Sequence, residues 1–210
     1  MSASQRPGPA LKAFSFSQEL KEISMFFEGK DQVHKTIRRL AKRLEKAGIP
    51  YAIVGAMALA AHRYWRTATA VDVLLTPEGF AAFLKLFVPK NYPRFENRKW
   101  RFVDRTNGVL IDFVVTGNFP GSDKPGPVAY PDPAKVTQII DGNRVVDLVT
   151  LVQLKLAARR WRDFADVVEL IRHNDLDNSF ADRLHPAVRK DYIACLEEKR
   201  REDEYEARKG

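Results

Sequence analysis

Asp72 and Asp112 are the residues whose setting first suggests chemistry. Each stands inside an apolar run, Ala70-Val71-Asp72-Val73-Leu74-Leu75 and Val109-Leu110-Ile111-Asp112-Phe113-Val114. Short runs rich in β-branched residues predict strands. Side chains alternate along a strand, so positions 70 and 72 share one face, and Asp112 on a neighbouring strand can meet that face. An ionised carboxylate among apolar neighbours needs a cation or hydrogen-bond donors. Mg²⁺ is one such cation: it takes hard oxygen ligands and usually keeps phosphates and water as the rest of its shell. An Arg66–Asp72 salt bridge is the plainer alternative, since buried carboxylates often pair with arginine.

The elements around these aspartates follow from local signals. Tyr51-Ala52-Ile53-Val54 reads as a buried strand ending in the small-residue turn Gly55-Ala56, and Ala56 to Tyr64 is rich in helix formers. Thr76 and Pro77 predict a helix start, with the helix running through Phe80, Phe83, Leu84 and Leu86. Trp100–Arg105 and Val109–Val115 predict strands joined at Thr106-Asn107-Gly108. Val136–Ile140 and Arg144–Val146 predict a second hairpin around Asp141-Gly142-Asn143. Residues 117–135, rich in Pro and Gly, read as a long loop of the kind that is often functional. Beyond Asp147 the stretches Leu151–Ala158, Phe164–Arg172 and Val188–Glu198 all read as helical. Gln18–Phe27 predicts a short helix, and residues 1–15 are expected to be flexible. The layout is α/β (α+β): a short mixed sheet flanked by helices, followed by an α-helical lobe. Its expected parts are a flexible N-terminus (1–15), an α/β domain (16–147) and a C-terminal helical lobe (148–210).

Composition narrows the class. The chain has 210 residues, 45% hydrophobic and 30% charged, with 35 Lys plus Arg against 27 Asp plus Glu, a net charge of +8. These proportions exclude a fully disordered, collagenous or membrane-embedded chain. No apolar run is long enough to span a membrane, Met1–Leu11 lacks an apolar signal-peptide core, and the single Cys195 makes no internal disulfide. A cytoplasmic protein is the expectation. Seven bases against two acids fall within Lys30–Lys46. Val33, Ile37, Leu40, Ala41 and Leu44 recur there at helical spacing, which predicts an amphipathic helix over about 31–47, with Gly48 and Pro50 at its end. Its basic face is either solvated surface or a surface for polyanions such as RNA or nucleotide phosphates.

The stretch Val54 to Leu75 resembles the signature of the polymerase-β-like nucleotidyltransferase superfamily, nearest to its AbiEii-type toxin and minimal nucleotidyltransferase branch. That signature is a small-residue turn, about ten residues, an Asp-x-Asp pair, and a third Asp on a later strand. Gly55 matches the turn, Asp72 the second Asp of the pair and Asp112 the third. The run Leu154-Lys155-Leu156-Ala157-Ala158-Arg159-Arg160-Trp161-Arg162-Asp163-Phe164-Ala165-Asp166 resembles the branch's second motif, and the resemblance spans roughly residues 35–172. It implies Mg²⁺-dependent transfer of a nucleoside monophosphate from an NTP to an RNA (for instance tRNA) or protein acceptor, and a toxin with a protein antitoxin as partner. Asp72 and Asp112 would hold metal, which clamps the attacking and leaving oxygens in such chemistry. Gly55 and Ala56 would approach the triphosphate with backbone N–H groups. Lys155 would contact phosphate, with Arg159 or Arg160 beside it, and Asp163 and Asp166 would orient the bases or serve the acceptor.

Two positions depart from the pattern. Ala56 stands where the family has Gly or Ser, and Ala70 takes the place of the first Asp of the pair. Ala70 offers no oxygen, so the expected site keeps two of three carboxylates. A natural pseudoenzyme binding nucleotide or RNA without turnover, an active variant using another acid or one metal, and a deliberate Asp→Ala change are the three readings; the additional Ala56 favours a natural departure. Among other residues, the spacing of His34, His62, His173 and His185 suits no metal. Trp65, Trp100 and Trp161 are expected in the core or at a lobe interface, and Cys195 lacks a His partner nearby in sequence. Lys155 has a plainer alternative as a helix-surface residue packed on Leu151.

Overall fold

The computed structural model describes residues 31–88, 90–121 and 124–209. The expected helix at Gln18–Phe27 and the expected flexible residues 1–15 lie outside them.

The basic segment folds as α1 (Gln32–Lys46). Asp31 caps it, its carboxylate accepting from the Val33 and His34 amides, and Gly48 follows in the left-handed region at φ 66°. Val33, Ile37, Leu40 and Leu44 are buried along one stripe, while Lys35, Arg38, Lys42 and Lys46 are exposed. The next elements are β1 (Tyr51–Val54), α2 (Gly55–Ala61), β2 (Ala70–Leu75) and α3 (Pro77–Phe87). Thr76 caps α3 by accepting from the Gly79 amide at 3.0 Å. Then come β3 (Arg101–Val103), β4 (Leu110–Val115), the single turn α4 (Pro133–Val136), β5 (Thr137–Ile140) and β6 (Asn143–Val146). Asp141 and Gly142, at φ 47° and 74°, make the two-residue turn between β5 and β6, the left-handed pair that matches strand twist. The C-terminal helices are α5 (Leu148–Ala158), α6 (Trp161–His173) and α7 (Pro186–Ala207), with a 3₁₀ turn at Asn178–Arg183.

The six strands form one mixed sheet in the order β3-β4-β2-β1-β6-β5. β2 and β4 run parallel, as do β1 and β6; the other neighbours are antiparallel. The α/β class and the short mixed sheet followed by helices are therefore as expected. Period two is clean in β4, where Ile111, Phe113 and Val115 are buried and Leu110, Asp112 and Val114 turn to the other, half-buried face. The buried face carries an aromatic cluster, with Phe83 of α3 4.4 Å from Phe113 and Phe80 4.9 Å from Trp100 between ring centroids. One continuous apolar core joins α1, the sheet and the C-terminal helices, from Leu40 through Leu74 to Leu156, Leu170 and Leu196.

Two tryptophans depart from the expected burial. Trp161 is 91% exposed and Trp65 53%, whereas Trp100 is half-buried on Phe80. Trp161 is the first residue of α6, where the helix meets solvent, and its ring lies beside that of Phe164. Trp65 stands in the irregular connection between α2 and β2. Among the described residues no helix is long and apolar enough to cross a membrane.

Candidate functional site

Asp72 and Asp112 stand directly opposite each other in the parallel β2–β4 ladder. Both side chains emerge on the sheet face opposite the aromatic cluster, into a cleft of about 380 Å³. Gly55 and Ala56 at the β1–α2 junction, Thr67 and Thr69 before β2, and Lys155, Arg160, Arg162 and Asp163 from α5 and α6 line it as well. Pro120 and Tyr130 of the long loop complete the wall.

The floor is arranged by backbone register. β1 pairs Val54 with Asp72, which brings Gly55 beside that carboxylate. Gly55 has φ 66°, and a β-carbon there would lie 2.0 Å from Asp72 Oδ2. Asp72 makes no hydrogen bond or ion pair among the described residues. Burial pushes its carboxyl up to about 6, and the Asp112 carboxylate beside it acts in the same direction. β3 and β4 pair Arg101 with Asp112. The Arg101 guanidinium grips both Asp112 oxygens, Nε to Oδ1 at 2.6 Å and Nη2 to Oδ2 at 2.8 Å, the bidentate geometry arginine favours. Arg101 was not among the residues singled out in the sequence, although the hairpin and strand alternation together put position 101 opposite position 112.

The wall is an ion-pair chain. Lys155 is buried, and its Nζ lies 2.9 Å from Asp163 Oδ1 and 2.5 Å from Asp166 Oδ2. Arg66 holds Asp166 through Nε at 2.9 Å and Nη2 at 3.1 Å, and Arg160 Nε donates to Asp163 Oδ2 at 2.5 Å. Burial opposes ionisation of Asp163, but Lys155 and Arg160 outweigh it and hold the carboxyl below its usual range. Lys155 is thus neither the helix-surface residue of the plainer reading nor an uncommitted ammonium. The salt bridge considered between Arg66 and Asp72 goes instead to Asp166. Arg159 caps α5 in the left-handed region at φ 53° and turns out of the cleft to Asp191 at 2.9 Å. Arg162, exposed on the rim, makes no ion pair among the described residues.

The donor set does not fit a two-metal centre. Ala70 offers no oxygen, and both Asp112 oxygens already accept from the positively charged Arg101. Among the described residues no group of three His, Cys, Asp or Glu side chains converges as metal ligands would. The histidines are engaged elsewhere: His62 is buried with Nε2 2.8 Å from the Val146 carbonyl, His34 pairs with Asp31, His173 stacks on Tyr64, and His185 caps α7. Burial pushes the Cys195 thiol up to about 12, which makes it a poor nucleophile.

No family model matches the chain, and no curated protein does. Among solved structures, the chain is similar to an antigenic nucleotidyltransferase-like protein from Paracoccidioides brasiliensis, at 16% identity and TM-score 0.48, over 80% of this chain and 88% of that one. It is similar to a putative nucleotidyltransferase from Thermotoga maritima at 15% identity and TM-score 0.44, over 66% and 91% of the two chains. It is also similar to ANT(2")-Ia, crystallised with adenylyl-2"-tobramycin, at 13% identity and TM-score 0.41, over 77% and 88%. These are similarities in the path of the chain.

Proposed function

We propose that the chain is a nucleotidyltransferase-like protein whose cleft binds a nucleoside triphosphate, with transfer to an acceptor impaired or lost. The observation that carries this reading is the in-register Asp72–Asp112 pair at the floor of one cleft walled by Arg66, Lys155, Arg160 and Arg162. A cleft of about 380 Å³ is in the range that holds a small organic ligand. Gly55 and Ala56 put only small residues at the floor beside Asp72, and Arg160 and Arg162 line the cleft as cationic groups that a phosphate chain can pair with. Lys155 acts on phosphate only through the field of its network, since its hydrogen bonds go to Asp163 and Asp166. The Mg²⁺ dependence that the resemblance implies is not matched by the donor set, and that mismatch is the reason turnover is taken as impaired.

RNA is the favoured acceptor or ligand because the exposed Lys35, Lys42 and Lys46 make one face of α1 basic. A toxin role, with a protein antitoxin and a cytoplasmic setting, is what the AbiEii-type resemblance adds. A second reading, binding without any transfer, is favoured by the hold of Arg101 on Asp112.

Calorimetric titration of each of the four NTPs, with and without Mg²⁺, into the native chain and into an Arg160→Ala/Arg162→Ala chain tests the site. At least one NTP is expected to bind the native chain and to lose about tenfold or more in affinity in the double variant. No binding by any NTP under either condition overturns the reading. Transfer of α-³²P label to RNA or protein separates the enzyme from the binding module.

A further inference from the structure

We propose that Arg101 is the resident cation of this cleft. On this view its guanidinium takes the place on Asp112 that a divalent metal would need, so that a nucleotide binds here without a divalent metal, a consequence that rests on the cleft being a nucleotide site.

Three strands converge on this arrangement. Arg101 of β3, Asp112 of β4 and Asp72 of β2 are consecutive partners across the sheet, so their side chains rise on one face in a row. The guanidinium satisfies both Asp112 oxygens and also lies close enough to Asp72 for each to feel the other's charge. Arg101 lines the same cleft as the two aspartates, not the outer surface of the edge strand. A divalent ion would have to share Asp112 with this positive charge or displace it, and would find only two carboxylates, because position 70, on the same face as Asp72, carries a methyl group. Ala70 and Arg101 therefore act in the same direction: position 70 offers no ligand oxygen, and Arg101 supplies a fixed positive charge beside Asp112 and Asp72.

The charge balance fits binding of an anion without a metal. Arg66, Arg101, Lys155, Arg160 and Arg162 set five cationic side chains against the carboxylates of Asp72, Asp112, Asp163 and Asp166. A phosphate chain entering at Arg160 and Arg162 meets a wall that is already cationic. A Mg²⁺ ion carried in by the nucleotide would find no free carboxylate pair to anchor it.

The test uses Mn²⁺ alone, read by electron paramagnetic resonance of the free ion, and NTPs read by calorimetry in EDTA and in Mg²⁺. The native chain is expected to bind Mn²⁺ no better than an Asp72→Asn chain. Ala70→Asp combined with Arg101→Gln is expected to gain Mn²⁺ affinity by about tenfold or more, and adding Asp72→Asn should remove the gain. The affinity for whichever NTP binds is expected to agree within about twofold between EDTA and Mg²⁺. Mn²⁺ binding to the native chain that Asp72→Asn abolishes overturns the assignment, as does a loss of about tenfold or more in NTP affinity in EDTA. If the double variant does not fold, the native and Asp72→Asn chains decide the matter. If no NTP binds at all, the nucleotide reading is what fails, and the Mn²⁺ comparison still decides whether Arg101 is the resident cation.

Discussion

Asp72 is packed against the bare α-carbon of Gly55: a β-carbon at position 55 would lie 2.0 Å from Asp72 Oδ2 and 2.8 Å from Asp72 Cβ. The glycine is thus required twice, once for its left-handed backbone at φ 66° and once for the carboxylate beside it.

Gly55→Ala is expected to destabilise the chain by about 2 kcal/mol or more, since the backbone conformation alone costs about 1–2 kcal/mol for a residue with a β-carbon. Asp72→Ala should relieve part of this, because it removes the oxygen at 2.0 Å but leaves the β-carbon at 2.8 Å, and Asp72→Gly should relieve more. Denaturant melts of the single and paired variants measure the coupling.

The elevated Asp72 carboxyl gives a pH signature. Its value in the folded chain, about 6, lies above the ordinary 3.8, so the folded state binds more protons between these limits. Stability therefore falls as pH rises through that window and levels off above it. Asp72→Asn removes the titration. It is expected to stabilise the chain at pH 7–8 by up to about 3 kcal/mol and to gain nothing at pH 4 or below. A pH series of urea melts on both chains would show a parallel offset at all pH values if the carboxylate were not the cause.

The Arg66–Asp166–Lys155–Asp163–Arg160 chain joins the segment before β2 to α5 and α6. Lys155→Met is expected to cost about 3–5 kcal/mol, because it leaves Asp163 and Asp166 buried with half their compensation. Lys155→Met combined with Asp163→Leu should recover part of the loss. Thermal melts in a double-mutant cycle read the coupling directly.

Asp104 is fully buried at the turn between β3 and β4. It accepts from Arg39 Nε at 3.1 Å and Nη2 at 2.6 Å, from Thr36 Oγ1 at 3.1 Å and from the Thr106 amide at 2.9 Å. Burial opposes its ionisation, but these donors prevail and hold it below the ordinary carboxylate value. Its contribution is therefore present above pH 4 and lost as pH falls through the lowered value. Asp104→Asn is expected to destabilise by about 2–4 kcal/mol at pH 7 and by less in acid, because the neutral side chain keeps only part of this set. Since Arg39 belongs to α1, loosening of that helix should accompany the loss in hydrogen exchange.

Much of this protein is legible in its sequence because the signals are local. Alternation in Leu110–Val115 puts Asp112 on one face, Thr76-Pro77 starts α3, Asp141-Gly142 turns a hairpin, and a four-residue stripe buries one side of α1. Each of these depends on backbone geometry over a few residues. Partner choice among charges does not. Arg66 lies six positions from Asp72 but bonds Asp166, and Lys155 spends its ammonium on Asp163 and Asp166. Arg159 and Arg160 are neighbours that diverge, because a left-handed cap at Arg159 sends it to Asp191 while Arg160, the residue just before α6, lines the cleft. The exposure of Trp161 is set by where a helix begins relative to solvent. Composition and spacing determined most of the strands and longer helices and the face on which the two aspartates stand, but not the single turn at Pro133–Val136 or the 3₁₀ turn at Asn178–Arg183. Only the packing of three strands and two helices around one cleft decided which cations Asp112, Asp163 and Asp166 hold and left Asp72 without one, because that depends on distances between segments up to about a hundred residues apart, as with Arg66 and Asp166.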